Sequence, residues 1–181
     1  MSGSEGQDVE GLDAEEPVDG SVGSKDGATD DDYVPAHLRD DLDEEPPPWP
    51  PHEIVPGVWQ SGSPEPGEHW DAVFDLHGTV PPLEDVEFYV HWIIEDGPAP
   101  DFTTLRGLAD LVEDMRRDGK RVLIHCAAGI NRSGLLSAAS LIRGGHDPDE
   151  AIALVRRGRT GALNNPNFVD LLHDPRWQQR S

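Results

Sequence analysis

Val122-Leu123-Ile124-His125-Cys126-Ala127-Ala128-Gly129-Ile130-Asn131-Arg132-Ser133-Gly134-Leu135-Leu136 runs from aliphatic residues through a patch of small ones into a second apolar segment. The stretch 121–125 reads as a buried strand, and the apolar spacing beyond Ser133 predicts a helix over 133–143. A strand that breaks into a loop and returns as a helix aims the loop amides and the positive helix end at one point. That unit belongs to an α/β protein, with the loop at the carboxyl end of a central strand, where such sheets bind ligands.

The chain on either side agrees with this. Strands are expected at 58–60, as the first edge strand, at 72–76 and at 89–94, and helices at 102–118, 148–157 and 166–173. Asp147-Pro148-Asp149-Glu150 carries an N-cap, a proline at the first helical position and an acid one turn in, and Asn165-Pro166 repeats the cap and proline. The expected fold is α/β: a central, mostly parallel sheet flanked by helices.

Cys126 is the chain's only cysteine, and five residues separate it from Arg132. Ala127, Ala128, Gly129, Ile130 and Asn131 give the backbone room to curl its N–H groups inward around a phosphate-sized anion, and Gly129 can supply the positive φ that such a curl needs. Arg132 adds a planar fork of donors matched to two phosphate oxygens. The same cation and helix start favour a thiolate at Cys126, hence a nucleophile. Ser133 can donate to that sulfur when it leaves. A lone cysteine is otherwise a small buried hydrophobe, but such a residue has no use for an Arg and a helix start beside it. His125 takes a supporting part, orienting the loop through a backbone carbonyl.

The string His125-Cys126 through Arg132-Ser133 resembles the H-C-x-x-x-x-x-R-[ST] signature of the protein tyrosine phosphatase superfamily, and the domain is similar to its dual-specificity branch. The resemblance implies a cysteine-dependent phosphatase, acting on phosphotyrosine, phosphoserine or phosphothreonine of proteins or on a small phosphomonoester through a thiophosphate intermediate, with no cofactor. It also implies a general acid on a mobile loop after a strand. Glu95-Asp96-Gly97-Pro98, thirty positions before Cys126, stands where the family keeps it. By that resemblance Asp96 is the acid that protonates the leaving oxygen and later the base that activates water. Glu95 and Asp101 compete, although Asp101 suits the N-cap of the following helix. Two departures stand out. The cysteine loop holds no extra cation for a polyphosphorylated lipid head group, and the phosphotyrosine-clamping segment of larger tyrosine-specific enzymes is missing. The alternatives are a phosphate-binding module of the same fold with little turnover, and sulfur or arsenate chemistry on the cysteine. The latter has no need of Asp96.

Composition divides the chain. Residues 1–50 hold 16 of the 36 acidic residues and only Lys25 and Arg39 as bases. So polar a segment cannot bury enough surface to offset its chain entropy, and a disordered acidic, Pro-rich tail is expected, followed by a catalytic domain over 54–181. Pro46 to Pro51 reads as a stiff spacer, and Tyr33 to Leu38 is an apolar patch that would allow the tail to dock a protein partner. Deleting 1–50 should therefore leave the domain intact. The formal charge of −22 makes nucleic acid a poor partner. The eight histidines and single cysteine show no metal-ligand spacing, so no metal is expected. The longest uncharged apolar run, 135–142, is far below the roughly 20 residues that span a bilayer, so no membrane is expected. A reactive thiol points to the cytoplasm.

Overall fold

Five short strands, β1 (His52–Val55), β2 (Val58–Ser61), β3 (Ala72–Asp75), β4 (Phe88–His91) and β5 (Val122–His125), form one sheet in the order β1-β2-β5-β3-β4 in a computed structural model. The structure describes residues 49–179 apart from 66, 79–82 and 84. The tail reading therefore lies outside the described residues up to residue 48, as does the first half of the proline run.

β5 is the middle strand, parallel to β2 on one side and β3 on the other, and β4 continues the parallel set. Only β1 runs antiparallel, so the sheet is mostly parallel. β2 was expected at the edge, but β1 covers it. His52–Val55 offers no apolar run to read; what makes it a strand is pairing with β2, in which His52 faces Gln60 and Glu53 faces Trp59.

Period-two alternation assigns the two faces of the sheet. Val58, Val122, Ile124, Ala72 and Phe74 point into the main core with residues from the four α-helices of the described residues: Leu105 of α1 (Phe102–Arg117), Leu136 of α2 (Arg132–Arg143), Ile152 of α3 (Pro148–Gly158) and Phe168 of α4 (Pro166–Leu172). Val73 and Leu123 face the other way, into a smaller cluster around Trp70 with Trp59 and Tyr89 at its margin. A short 3-10 turn at Pro175–Gln178 seats Trp177 edge-on against Phe102, ring centroids 4.7 Å apart.

The expected caps form. Asp101, Asp147 and Asn165 each accept a backbone N–H of the following helix, with Pro148 and Pro166 in the first turn of theirs. α2 differs: residues Ser133 to Ile142 are all buried, and Asn131 at its start makes no side-chain cap.

The folded unit begins earlier than Ile54. Trp49 O accepts the Gly62 N–H at 3.1 Å, and Pro50 O accepts Arg159 Nη2 at 2.7 Å. Prolines lack N–H donors but keep their carbonyls, so a Pro-rich strand end can still be pinned through its acceptors. The last three residues of the anticipated spacer are thus part of the domain.

Candidate active site

β5 ends at His125, and Cys126 to Asn131 curl above its carboxyl end before α2 begins at Arg132. The loop is held from outside. Cys126 N–H donates to Ser61 O at 3.4 Å, Ser63 N–H to Ala127 O at 3.1 Å, Gln60 Nε2 to Gly129 O at 2.9 Å, and Leu163 N–H to Ile130 O at 3.3 Å. Gly129 has φ +66°, and a Cβ there would come within 2.4 Å of the Ser61 carbonyl carbon, so no larger residue fits between the loop and β2. Ala127 is exposed and Ala128 and Ile130 half-buried.

Within this frame Cys126 is buried, and its Sγ lies 3.3 Å from Ser133 Oγ. Arg132 is half-buried; its Nη1 meets His77 Nδ1 at 2.9 Å, while Nε–H is buried with no partner among the described residues. The side chain of Asn131 turns away from the helix start. Its Nδ2 donates to Asp96 Oδ2 at 3.0 Å and to Asn164 Oδ1 at 2.7 Å, and its Oδ1 accepts Asn164 N–H at 2.9 Å. The first amides of α2 thus carry no side-chain cap, which leaves them facing the loop as donors for an anion.

The other Asp96 oxygen accepts Asn165 Nδ2 at 3.1 Å, and Asn165 and Asn167 both donate to Gly97 O. Two segments far apart in sequence therefore grip the Asp96 loop. Asp101 sits apart from this network: its Oδ1 accepts the backbone N–H and the hydroxyl of Thr104, both at 2.8 Å, which is the work of a helix cap. Glu95 is exposed and its side chain makes no hydrogen bond among the described residues.

His125 does not make the carbonyl hydrogen bond expected of it. It is fully buried, and neither ring nitrogen has a partner among the described residues; the nearest acid is Asp75, with Oδ1 3.8 Å from Nε2. Burial pushes its pKa down to about 4, against the pull of Asp75, so the ring is neutral beside the cysteine. Burial would raise the Asp75 carboxyl, but the N–H groups of Gly78 and His77, at 2.9 and 2.8 Å, hold it below the usual range. Tyr89 OH also donates to Asp75, at 3.2 Å, and burial with that acid takes the phenol up to about 12.

Four contributors escaped the sequence reading: His77, Gln60, Arg159 and the Asn164-Asn165 pair, of which Asn165 was read only as a cap. Arg159 is 6 % exposed, gives Nη2 to Pro50 O and Gln60 O, and stacks 5.3 Å from the Trp49 ring centroid. It has no carboxylate partner among the described residues; burial lowers its pKa, and the charge of Cys126 opposes that. Nothing in the local sequence around Arg159 separates it from its exposed neighbours Arg156 and Arg157.

Known proteins are similar to this chain in sequence and fold. The family described as dual specificity phosphatase, catalytic domain, matches residues 81–177. A probable protein tyrosine phosphatase type IVA A of Dictyostelium discoideum is 34% identical over 86 residues, which cover 46% of this chain and 52% of that protein. Human protein tyrosine phosphatase type IVA 3 is 34% identical over 93 residues, 50% of this chain and 54% of that one. The chain thus spans about half the length of the curated relatives it matches. The crystal structure of Tk-PTP in its active form superposes with a TM-score of 0.59 at 31% identity, over 68% of this chain and 93% of that one. A mouse putative dual specificity phosphatase complexed with zinc tungstate gives 0.62 at 25%, over 72% and 88%. With the cysteine loop inside a match that takes in more than half of its residues, the chain belongs to the dual specificity phosphatase family.

Proposed function

We propose that this chain hydrolyses phosphomonoesters on protein side chains, phosphotyrosine, phosphoserine or phosphothreonine, through a thiophosphate on Cys126. The observation that carries the proposal is the convergence on one loop of a sulfur 3.3 Å from a serine hydroxyl, an arginine with an unpartnered Nε–H, and a carboxylate tethered to Asn131. A loop that only bound phosphate would have no use for the tethered acid.

In the first step the Cys126 thiolate attacks phosphorus. The S–P bond forms as the P–O bond breaks, and the leaving oxygen takes a proton from Asp96. The inward amides of Ala127 to Asn131 and the Nε and Nη2 donors of Arg132 hold the equatorial oxygens, where charge is spread in the transition state. In the second step Asp96, now a carboxylate, takes a proton from water as that water attacks phosphorus. The S–P bond breaks, inorganic phosphate leaves, and Ser133 donates to the departing thiolate. His125 packs beneath the loop as a neutral support and transfers no proton.

The loop offers no cation besides Arg132, and the chain carries −22, both of which favour singly phosphorylated side chains over polyanionic ligands. The need for a reduced sulfur favours the cytoplasm. No helix of the described residues is long and apolar enough to cross a membrane. The tail within residues 1–50 is proposed to dock a protein partner.

The test is to quench the protein during turnover of an aryl phosphate and weigh it intact. One added phosphoryl group that maps to Cys126 and is absent from Cys126→Ser supports the proposal. Turnover that survives in Cys126→Ser overturns it.

A further inference from the structure

Arg132 has five N–H donors and can accept nothing, so in its contact with His77 the imidazole Nδ1 must be the acceptor and Nε2 must carry the ring proton. This contact falls on Nη1. The edge of a guanidinium that grips two oxygens side by side is Nε with Nη2, as Arg116 uses against Glu113 at 2.7 and 2.9 Å. His77 therefore takes the one nitrogen that a bidentate phosphate contact does not need. It leaves Nε–H buried and unpartnered beside the cysteine loop.

The imidazole is itself fixed. Asp75 Oδ1 accepts the N–H of both His77 and Gly78, and Asp75 Oδ2 is held by Tyr89. Gly78 has φ +79°, and a Cβ there would reach within 2.5 Å of His91 Nε2 and 2.7 Å of Ile93 Cδ1. The backbone on either side of the ring is thus tied to Asp75 at the end of β3, so the direction of the ring follows from the sheet.

We propose that His77 is a positioning residue: its neutral ring holds Arg132 so that the Nε–Nη2 edge faces the phosphate, and protonation of the ring releases that edge. The inference rests on the phosphatase reading for its role in turnover, but its core is a statement about oxyanion binding. A protonated ring would set a cation against a cation at hydrogen-bond distance and remove the acceptor. Among the described residues the charged and titratable groups facing His77 are Arg132 from α2, Asp75 from β3 and His125 from β5, whose Nε2 lies 3.8 Å from the Asp75 oxygen that accepts the His77 N–H, while His91 of β4 meets the other Asp75 oxygen. Burial and Arg132 lower the pKa of His77 while Asp75 opposes them, so the ring is neutral at pH 7 and the release falls on the acid side of the ordinary histidine range.

The experiment measures binding of inorganic phosphate and of tungstate by calorimetry, between pH 5 and 8, to the wild type, His77→Ala and His77→Asn, and KM and kcat for an aryl phosphate beside it. The asparagine oxygen stands near the Nδ1 position as an acceptor that does not titrate. His77→Ala should weaken anion binding about tenfold at pH 7, the usual worth of a hydrogen bond to a charged group, and raise KM more than it lowers kcat. His77→Asn should restore binding at pH 7 and lose the extra acid-side decline seen in the wild type. Wild-type affinity in His77→Ala, or an acid-side decline unchanged in His77→Asn, would overturn the proposal. If His77→Ala fails to fold, the two profiles of wild type and His77→Asn decide alone. Anion binding that follows this pattern in a wild type with no turnover would leave His77 in its role and remove the phosphatase reading instead.

Discussion

Asn131 Nδ2 donates to Asp96 Oδ2 across 3.0 Å, so the loop that carries the sulfur also holds an acid 35 positions upstream. Asn165 takes the second oxygen from the start of another helix. A carboxyl on an otherwise exposed loop is thereby oriented by amides that belong to rigid elements, as a group that must meet a leaving oxygen requires.

Asp96→Asn should therefore slow hydrolysis of alkyl phosphates, which need a proton on the leaving oxygen, by roughly two orders of magnitude or more. Aryl phosphates with good leaving groups should lose less in the first step. Asp101→Asn should behave almost as wild type, because asparagine caps a helix about as well as aspartate. Leaving-group dependence measured for both variants checks the assignment, and a defect confined to Asp101→Asn would transfer the role.

Replacing Arg132 by lysine should cost roughly 10²- to 10³-fold in kcat/KM, since a point charge cannot span two phosphate oxygens while also meeting His77. Far-ultraviolet circular dichroism should stay unchanged. Near-normal kinetics would leave Arg132 with no more than a helix-start role.

Chain truncation separates the segment 49–51, a strap pinned to Gly62 and Arg159, from the tail. Starting the protein at Trp49 should preserve stability and aryl phosphatase activity. Starting it at His52 removes the Trp49 O and Pro50 O acceptors and the ring against Arg159, leaving that buried guanidinium short of a partner. A loss of about 3 kcal/mol in denaturant unfolding is expected, together with reduced turnover. Equal stability of the two truncations would mean that the strap is dispensable.

Acid should weaken the fold through His125. Its folded pKa of about 4 lies below the unfolded value of 6.5, so the unfolded chain binds the proton first and stability falls as pH drops from about 6.5 to 4. The contribution at neutral pH is about 3 kcal/mol, lost across that window; His77 acts in the same direction, and His173, whose pKa is raised by Asp149, in the opposite one. Urea unfolding of wild type and His125→Asn between pH 4 and 7 should give converging curves toward acid. Parallel curves would place the titration elsewhere.

What could be read ahead of the structure follows a physical divide. Helices over 102–117, 132–143, 148–158 and 166–172 announce themselves by apolar spacing, three of them also by an aspartate or asparagine cap and two by proline in the first turn. The central strand and its loop were legible because an apolar run, small residues and an Arg-Ser pair lie side by side. β1 was not, since a polar edge strand owes its conformation to its neighbour. His77 and Arg159 were hidden for a similar reason. A histidine after a strand and an arginine among arginines acquire meaning only once β3 meets α2 and the loop after α3 meets the strap. The hydrogen bond expected of His125 failed because burial on both sides of the strand left its ring nitrogens no acceptor.

The supports of the cysteine loop come from remote parts of the chain: Gln60 reaches Gly129 across 69 residues, and Arg159 reaches Pro50 across 109. Such contacts can be made only after the intervening segments have found their places, since the entropy of closing those long loops must be met before the contacts reward it. A fragment ending within α2, however helical, still lacks Leu163, whose N–H holds Ile130 O, and Arg159, which ties β2 to Pro50. If the loop binds oxyanions as proposed, recovery of that binding during refolding should lag the far-ultraviolet helix signal and coincide with the final cooperative phase, which would make the cysteine loop a clock for completion of the whole domain.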